Sequence, residues 1–136
     1  MNNAMPAFNV VDPLRILFVE DNAIVREQTT ELLASNDREI VACETAEQAL
    51  AEFERKEFDV LITDMSLPAM SGMDLTKHVL KKNANAWIVI LSGYLLKIEL
   101  NKIGPNVRTL AKPFETEQLD VILNDVRAAR HSWGDR

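Results

Sequence analysis

The sequence predicts an α/β domain: a doubly wound, five-stranded parallel sheet with five flanking helices. Three observations carry this expectation. Short apolar runs alternate strictly with stretches of helical periodicity along almost the whole chain. The runs are apolar at nearly every position, as strands covered by helices on both faces must be. Finally, 136 residues accommodate five such βα units in one domain, and a domain near this size buries roughly 68–70% of its unfolded surface.

The elements follow in order. Arg15-Ile-Leu-Phe-Val-Glu20 is too short for a helix and suits a buried strand. Ala23 to Ser35 sets Ile24, Gln28 and Leu32 beside Val25, Thr29 and Leu33 on adjacent helical rows expected to face the core. Glu39 to Cys43 is the second strand. Thr45 opens the next helix with Gln48 three residues later, a capping-box pattern, and Ala46, Ala49, Leu50 and Phe53 form its inner stripe. Val60 to Thr63 is the third strand, and Gly72 to Asn83 a helix with Leu75, Val79 and Leu80 inward. Trp87 to Leu91 is the most strand-like stretch. Leu95 to Lys102 reads as a short helix stopped by Gly104-Pro105. Arg108 to Ala111 is the last strand, and Thr116 to Arg130 the closing helix, with Leu119, Ile122, Leu123 and Val126 on one stripe. Five units of this kind match the flavodoxin-like strand order 2-1-3-4-5. Residues 1–13 read as a flexible lead-in, 14–130 as the domain and 131–136 as a tail.

Composition narrows the function. Hydrophobic residues make up 47% and charged residues 26%, which is incompatible with disorder as the main state. Fifteen Lys and Arg against 21 Asp and Glu leave a net charge of −6, a poor basis for binding nucleic acid or an anionic membrane. Cys43 is the lone cysteine, so no internal disulfide forms, and with His78 and His131 it gives no zinc-type spacing. No apolar run reaches the ~18 residues of a membrane span, and the N-terminus lacks the layout of a secretory signal. A cytoplasmic location is expected.

The chemistry is concentrated where the apolar runs stop. They end in Glu20-Asp21, in Asp64, in Ser92-Gly93 and in Lys112-Pro113. In a parallel sheet these ends share one edge, where ligands of doubly wound folds bind. Three carboxylates at one place stay ionised together only with a cation among them. Oxygen-only donors favour a hard ion, Mg²⁺ first. A metal, a lysine, a hydroxyl and a carboxylate nucleophile are the minimum set for making an acyl phosphate.

Phe18-Val-Glu-Asp-Asn22, Leu61-Ile-Thr-Asp-Met65 leading to Leu67-Pro68 and Met70-Ser-Gly72, Leu91-Ser-Gly93, and Lys112-Pro-Phe114 together resemble the receiver domain of two-component response regulators, over about Leu14 to Arg130. The resemblance implies that Asp64 accepts a phosphoryl group from a sensor histidine kinase or phosphotransfer protein. It implies Mg²⁺ held by Asp21, Glu20, Asp64 and the backbone carbonyl of Ser66. Ser92 and Lys112 would contact the phosphoryl oxygens, across a cis Lys112-Pro113 peptide. A downstream target or output domain would read the switch. The chain departs from the pattern at Thr109, where many receivers carry an aromatic three residues before the lysine. Tyr94, after Ser92-Gly93, is the expected substitute reporter.

Taken singly, each of these residues has an ordinary reading. Glu20 or Asp21 can cap a helix, Ser92-Gly93 can be a turn, and Lys112 a surface lysine. Trp87, Phe18, Phe53 and Cys43 read as core, His78 as a solvated residue, and Met65, Met70 and Met73 as gap fillers. Two other functions compete. A Mg²⁺-dependent aspartyl-phosphate phosphohydrolase typically has a second aspartate two residues after its nucleophile, where this chain has Ser66. A flavodoxin-like cofactor binder needs a phosphate-cradling loop after strand one, where this chain has Glu20-Asp21-Asn22.

Overall fold

The computed structural model of the protein describes residues 12–35, 37–93 and 103–133, the last three by backbone alone. Five strands, β1 (Leu14–Val19), β2 (Arg38–Cys43), β3 (Val60–Asp64), β4 (Trp87–Ser92) and β5 (Val107–Ala111), form one sheet. Its order is β2-β1-β3-β4-β5 with every pair parallel, as the sequence predicts. The helices among the described residues are α1 (Ala23–Leu33), α2 (Ala46–Arg55), α3 (Gly72–Lys82) and α4 (Thr116–Trp133). They number four rather than five, because the helix expected over Leu95–Lys102 lies outside the described residues, as does Tyr94. The closing helix runs past Arg130 to Trp133, into the expected tail.

Alternation along each strand divides the core in two. On one face Leu14, Ile16 and Phe18 of β1 and Val60 and Ile62 of β3 meet Leu33 of α1 and Leu119, Leu123 and Val126 of α4. On the other, Leu17, Val19 and Leu61 meet Ala46 and Ala49 of α2 and Leu75 and Val79 of α3. Both faces are sealed, which is why the strands read as unbroken apolar runs. Trp87 and Phe53 pack against these cores while half-buried, and Cys43 is buried among them.

Helix α1 departs from its expected rows. Ile24 is 68% exposed, Leu32 62% and Val25 38%, and only Leu33 is fully buried. The inward row runs instead through Arg26, Thr29, Thr30 and Leu33. The reason is polar. The Arg26 guanidinium donates to the Glu20 carbonyl at 2.9 Å, and the Thr30 hydroxyl to the Arg26 carbonyl at 2.7 Å. The Thr30 bond stays within the helix, while the Arg26 bond ties this side of α1 to the loop after β1 and leaves the Ile24–Leu32 row toward solvent.

Capping agrees with the sequence at α2, where Thr45 accepts from the Gln48 N–H at 3.1 Å. The Gln48 side chain reaches back to the N–H of Glu44, one residue before the cap, at 3.0 Å. Ser71 caps α3 in the same way, accepting from the Asp74 N–H.

Candidate functional site

In-register parallel pairing brings the ends of the strands to one edge. Val19 stands beside Cys43 and Thr63, Asp64 beside Leu91, and Ser92 beside Ala111. Glu20 and Asp21 therefore leave β1 next to the last residue of β3, and Lys112 leaves β5 next to the last residue of β4. The capping role open to either acid belongs to Asn22, whose side chain accepts from the Val25 N–H at 3.0 Å. That frees both carboxylates for the edge.

Carboxylate oxygens of Glu20, Asp21 and Asp64 all lie within 4.8 Å of one another. Glu20 and Asp64 are buried, 3% and 7% exposed, while Asp21 faces solvent. The Lys112 ammonium closes the group, 3.1 Å from Asp64 and 3.8 Å from Glu20. Burial holds the Glu20 carboxyl above its usual pKa. The Asn22 N–H, bonded to it at 3.0 Å, opposes the rise, the charge of Asp64 adds to it, and Lys112 again opposes it. Crowded carboxylates with this imbalance favour a further cation. Three oxygen donors without nitrogen or sulfur suit a hard divalent ion such as Mg²⁺.

The remaining expected residues flank this cluster. Ser92 is 2% exposed at the end of β4, and its carbonyl accepts from the Lys112 N–H at 2.7 Å. The Lys112–Pro113 peptide is cis, as expected. Ser66 stands in the loop two residues past Asp64 with its side chain exposed. That loop is pinned at both ends. The Met65 N–H donates to Leu91 at 2.8 Å, and the Gly72 N–H to the Met65 carbonyl at 2.9 Å. Between them Ala69 adopts a left-handed φ of 62°, which a side chain makes costly. Met65, Met70 and Met73 pack against the core around the start of α3, and His78 is exposed. Thr109 is half-buried on β5.

The sequence reading missed Asn22, Arg26, Thr63 and Thr76. The Asn22 cap was legible, since Asn precedes the first helical residue. The others bond backbone carbonyls, Arg26 six residues back, Thr76 four residues back and Thr63 one residue on, and such bonds leave no mark in the apolar periodicity.

A doubly wound sheet with an acidic, metal-capable cluster and a lysine at its carboxyl edge defines the class: a domain built for phosphoryl chemistry on a carboxylate. The chain belongs to the response regulator receiver domain family, whose match spans residues 16–124. It is thus a phospho-accepting signalling module of the two-component type. The two-component response regulator PhoP of Pseudomonas aeruginosa is 30% identical over 114 residues, 82% of this chain and 50% of that protein. The chemotaxis protein CheY of Thermotoga maritima is 27% identical over 116 residues, 82% of this chain and 96% of that one. The response regulator TrrA of Thermotoga maritima, solved in complex with Mg²⁺-BeF, matches with a TM-score of 0.74 at 27% identity, covering 82% of this chain and 97% of that chain. The chain spans half of PhoP and 25% of other curated relatives. No helix among the described residues is long and apolar enough to cross a membrane.

Proposed function

We propose that Asp64 is the phospho-acceptor of this receiver. One observation carries the assignment. Asp64 ends the central strand, 7% exposed, inside the 4.8 Å carboxylate cluster and with the Lys112 ammonium 3.1 Å away. A carboxylate oxygen of Asp64 attacks the phosphorus of a phosphohistidine on a sensor histidine kinase or phosphotransfer protein. The P–N bond breaks, an acyl phosphate forms, and the departing imidazole takes up a proton.

Glu20, Asp21, Asp64 and the Ser66 carbonyl would hold Mg²⁺. Bound there, the ion supplies neutralisation of the charge on the transferring phosphoryl oxygens. Lys112 serves the same charge from the other side, and the Ser92 hydroxyl donates to a phosphoryl oxygen. The product adds negative charge and strong acceptor oxygens at the edge, which switches a partner-binding surface. A downstream protein or a linked output domain reads that change. The domain acts as a phospho-acceptor with at most slow self-dephosphorylation, in the cytoplasm, without binding nucleic acid or membrane. The phosphohydrolase alternative is disfavoured because Ser66 stands where such an enzyme places its second carboxylate.

Acetyl phosphate with Mg²⁺ tests the assignment by mass spectrometry. One base-labile addition of about 80 Da is expected, as for an aspartyl phosphate, and it is lost in Asp64→Asn. Undiminished labelling of Asp64→Asn refutes it.

A further inference from the structure

We propose that Thr63 and Thr76 are positioning residues that hold the Asp64 backbone in place through Gly72, and so set the rate of phosphoryl acceptance. The inference rests on Asp64 being the acceptor. Thr63 and Thr76 are both 0% exposed, yet both carry hydroxyls among apolar neighbours, Val60 to Ile62 on β3 and Leu75 and Val79 on α3. A buried hydroxyl is costly unless it is hydrogen-bonded. Both hydroxyls are used at one crossing. Thr63 donates to the Asp64 carbonyl at 2.9 Å, and Thr76 to the Gly72 carbonyl at 2.8 Å.

Gly72 and Asp64 meet between those two bonds. A Cβ on Gly72 would fall 2.1 Å from the Asp64 carbonyl oxygen and 2.9 Å from its carbon. The first turn of α3 therefore rests on the acceptor's own peptide group. Thr76, bonding four residues back in its own helix, braces the turn that meets Asp64, and Thr63 bonds the carbonyl of its next residue, Asp64 itself. The Asp64 carboxylate stands on this support, 3.1 Å from Lys112. A shift of the crossing moves the nucleophile relative to the groups that must receive the phosphoryl oxygens, and reaction rates are steep in such displacements.

Valine keeps the branched shape of threonine and loses the hydroxyl; serine keeps the hydroxyl. The test compares Thr63→Val, Thr76→Val, their double variant and the matching serine variants. Initial rates of phosphorylation by acetyl phosphate are measured at saturating Mg²⁺, alongside urea unfolding. The double valine variant is expected to fold at least as stably as wild type. Its maximal rate is expected to fall about tenfold with the half-saturating donor concentration little changed, while the serine variants stay within about twofold of wild type. A wild-type rate in the double valine variant overturns the proposal, as do serine variants as slow as the valine ones. Should valine prevent folding, Thr63→Ala and Thr76→Ala decide the same question by the same rates. Asp64→Asn is run in parallel. Label persisting there overturns the acceptor assignment itself, whereas label lost there with full rates in the hydroxyl-free variants overturns only the positioning role.

Discussion

Lys112→Met removes the ammonium that faces the acidic cluster, at 3.1 Å from Asp64 and 3.8 Å from Glu20. At an effective dielectric constant of about 20, unit charges at these separations attract by about 5 and about 4 kcal/mol. The Lys112 side chain is 33% exposed. Solvent screening and the desolvation of the ions cancel most of that attraction, leaving about 2 kcal/mol of net stabilisation. Without metal, Lys112→Met should melt roughly 5–10 °C below wild type. Mg²⁺ narrows this gap. The ammonium and the divalent ion compete for the same carboxylates, so removing the ammonium should tighten Mg²⁺ binding about tenfold, or about 1.4 kcal/mol. The rise in melting temperature on adding Mg²⁺ is then larger in the variant than in wild type. Thermal melts across a Mg²⁺ titration, with calorimetric affinities, make the measurement. A variant that melts like wild type without metal, or binds Mg²⁺ more weakly, would show that Lys112 is not the counter-ion of this cluster.

Three further outcomes are expected. Gly72→Ala sets a Cβ 2.1 Å from the Asp64 carbonyl oxygen, and the forced backbone shift should cost about 1–3 kcal/mol by urea unfolding; unchanged stability would mean that the crossing yields freely. Cys43 is buried with its thiol pKa raised by burial, so iodoacetamide should leave it unmodified at neutral pH in the folded protein, and rapid alkylation would contradict that burial. The Ser35 hydroxyl, with Arg127 assisting, lowers the Asp37 pKa. The stability this contributes is complete above the unfolded carboxyl's pKa of about 4 and is lost as pH falls through the lower folded value. Asp37→Asn should therefore be less stable than wild type at neutral pH and equal to it in acid, and a gap that is constant with pH would remove the carboxylate from the account.

The parallel sheet was legible because burial on both faces imposes apolar runs, carried by residues 16–19 in β1, 60–62 in β3 and 87–91 in β4. Glu20, Asp21, Asp64, Ser92 and Lys112 were legible because each interrupts such a run at its carboxyl end, where the fold leaves room for polar chemistry. The orientation of α1 was not. Ile24, Gln28 and Leu32 make as good a helical row as Arg26, Thr29, Thr30 and Leu33, and the choice between them falls to a guanidinium bound to a carbonyl of the neighbouring loop. Apolar periodicity does not register that bond. Thr63 and Thr76 were equally silent, since threonine is an ordinary strand residue and an unremarkable helix residue. Only the crossing of α3 over the end of β3 gives their hydroxyls a shared purpose.

Arg130 makes a link whose use lies outside the chemistry of the site. Near the end of α4 its guanidinium donates to the carbonyls of Asp12 and Pro13, each at 2.9 Å, and to the Asp59 carboxylate at 3.0 Å. The entry to β1 and the exit of the last helix are thereby clasped together, on the side where the strands begin. β1 is six residues long, so this clasp stands about 20 Å from the acidic edge. Ends held this close lend themselves to circular permutation. A short linker from Trp133 back to Asp12, with new ends cut in the exposed turn at Asn83–Asn85, should leave acetyl phosphate labelling of Asp64 intact. A fluorescent reporter attached beside this clasp, at Asp12, would likewise sit about a strand length from the acidic edge.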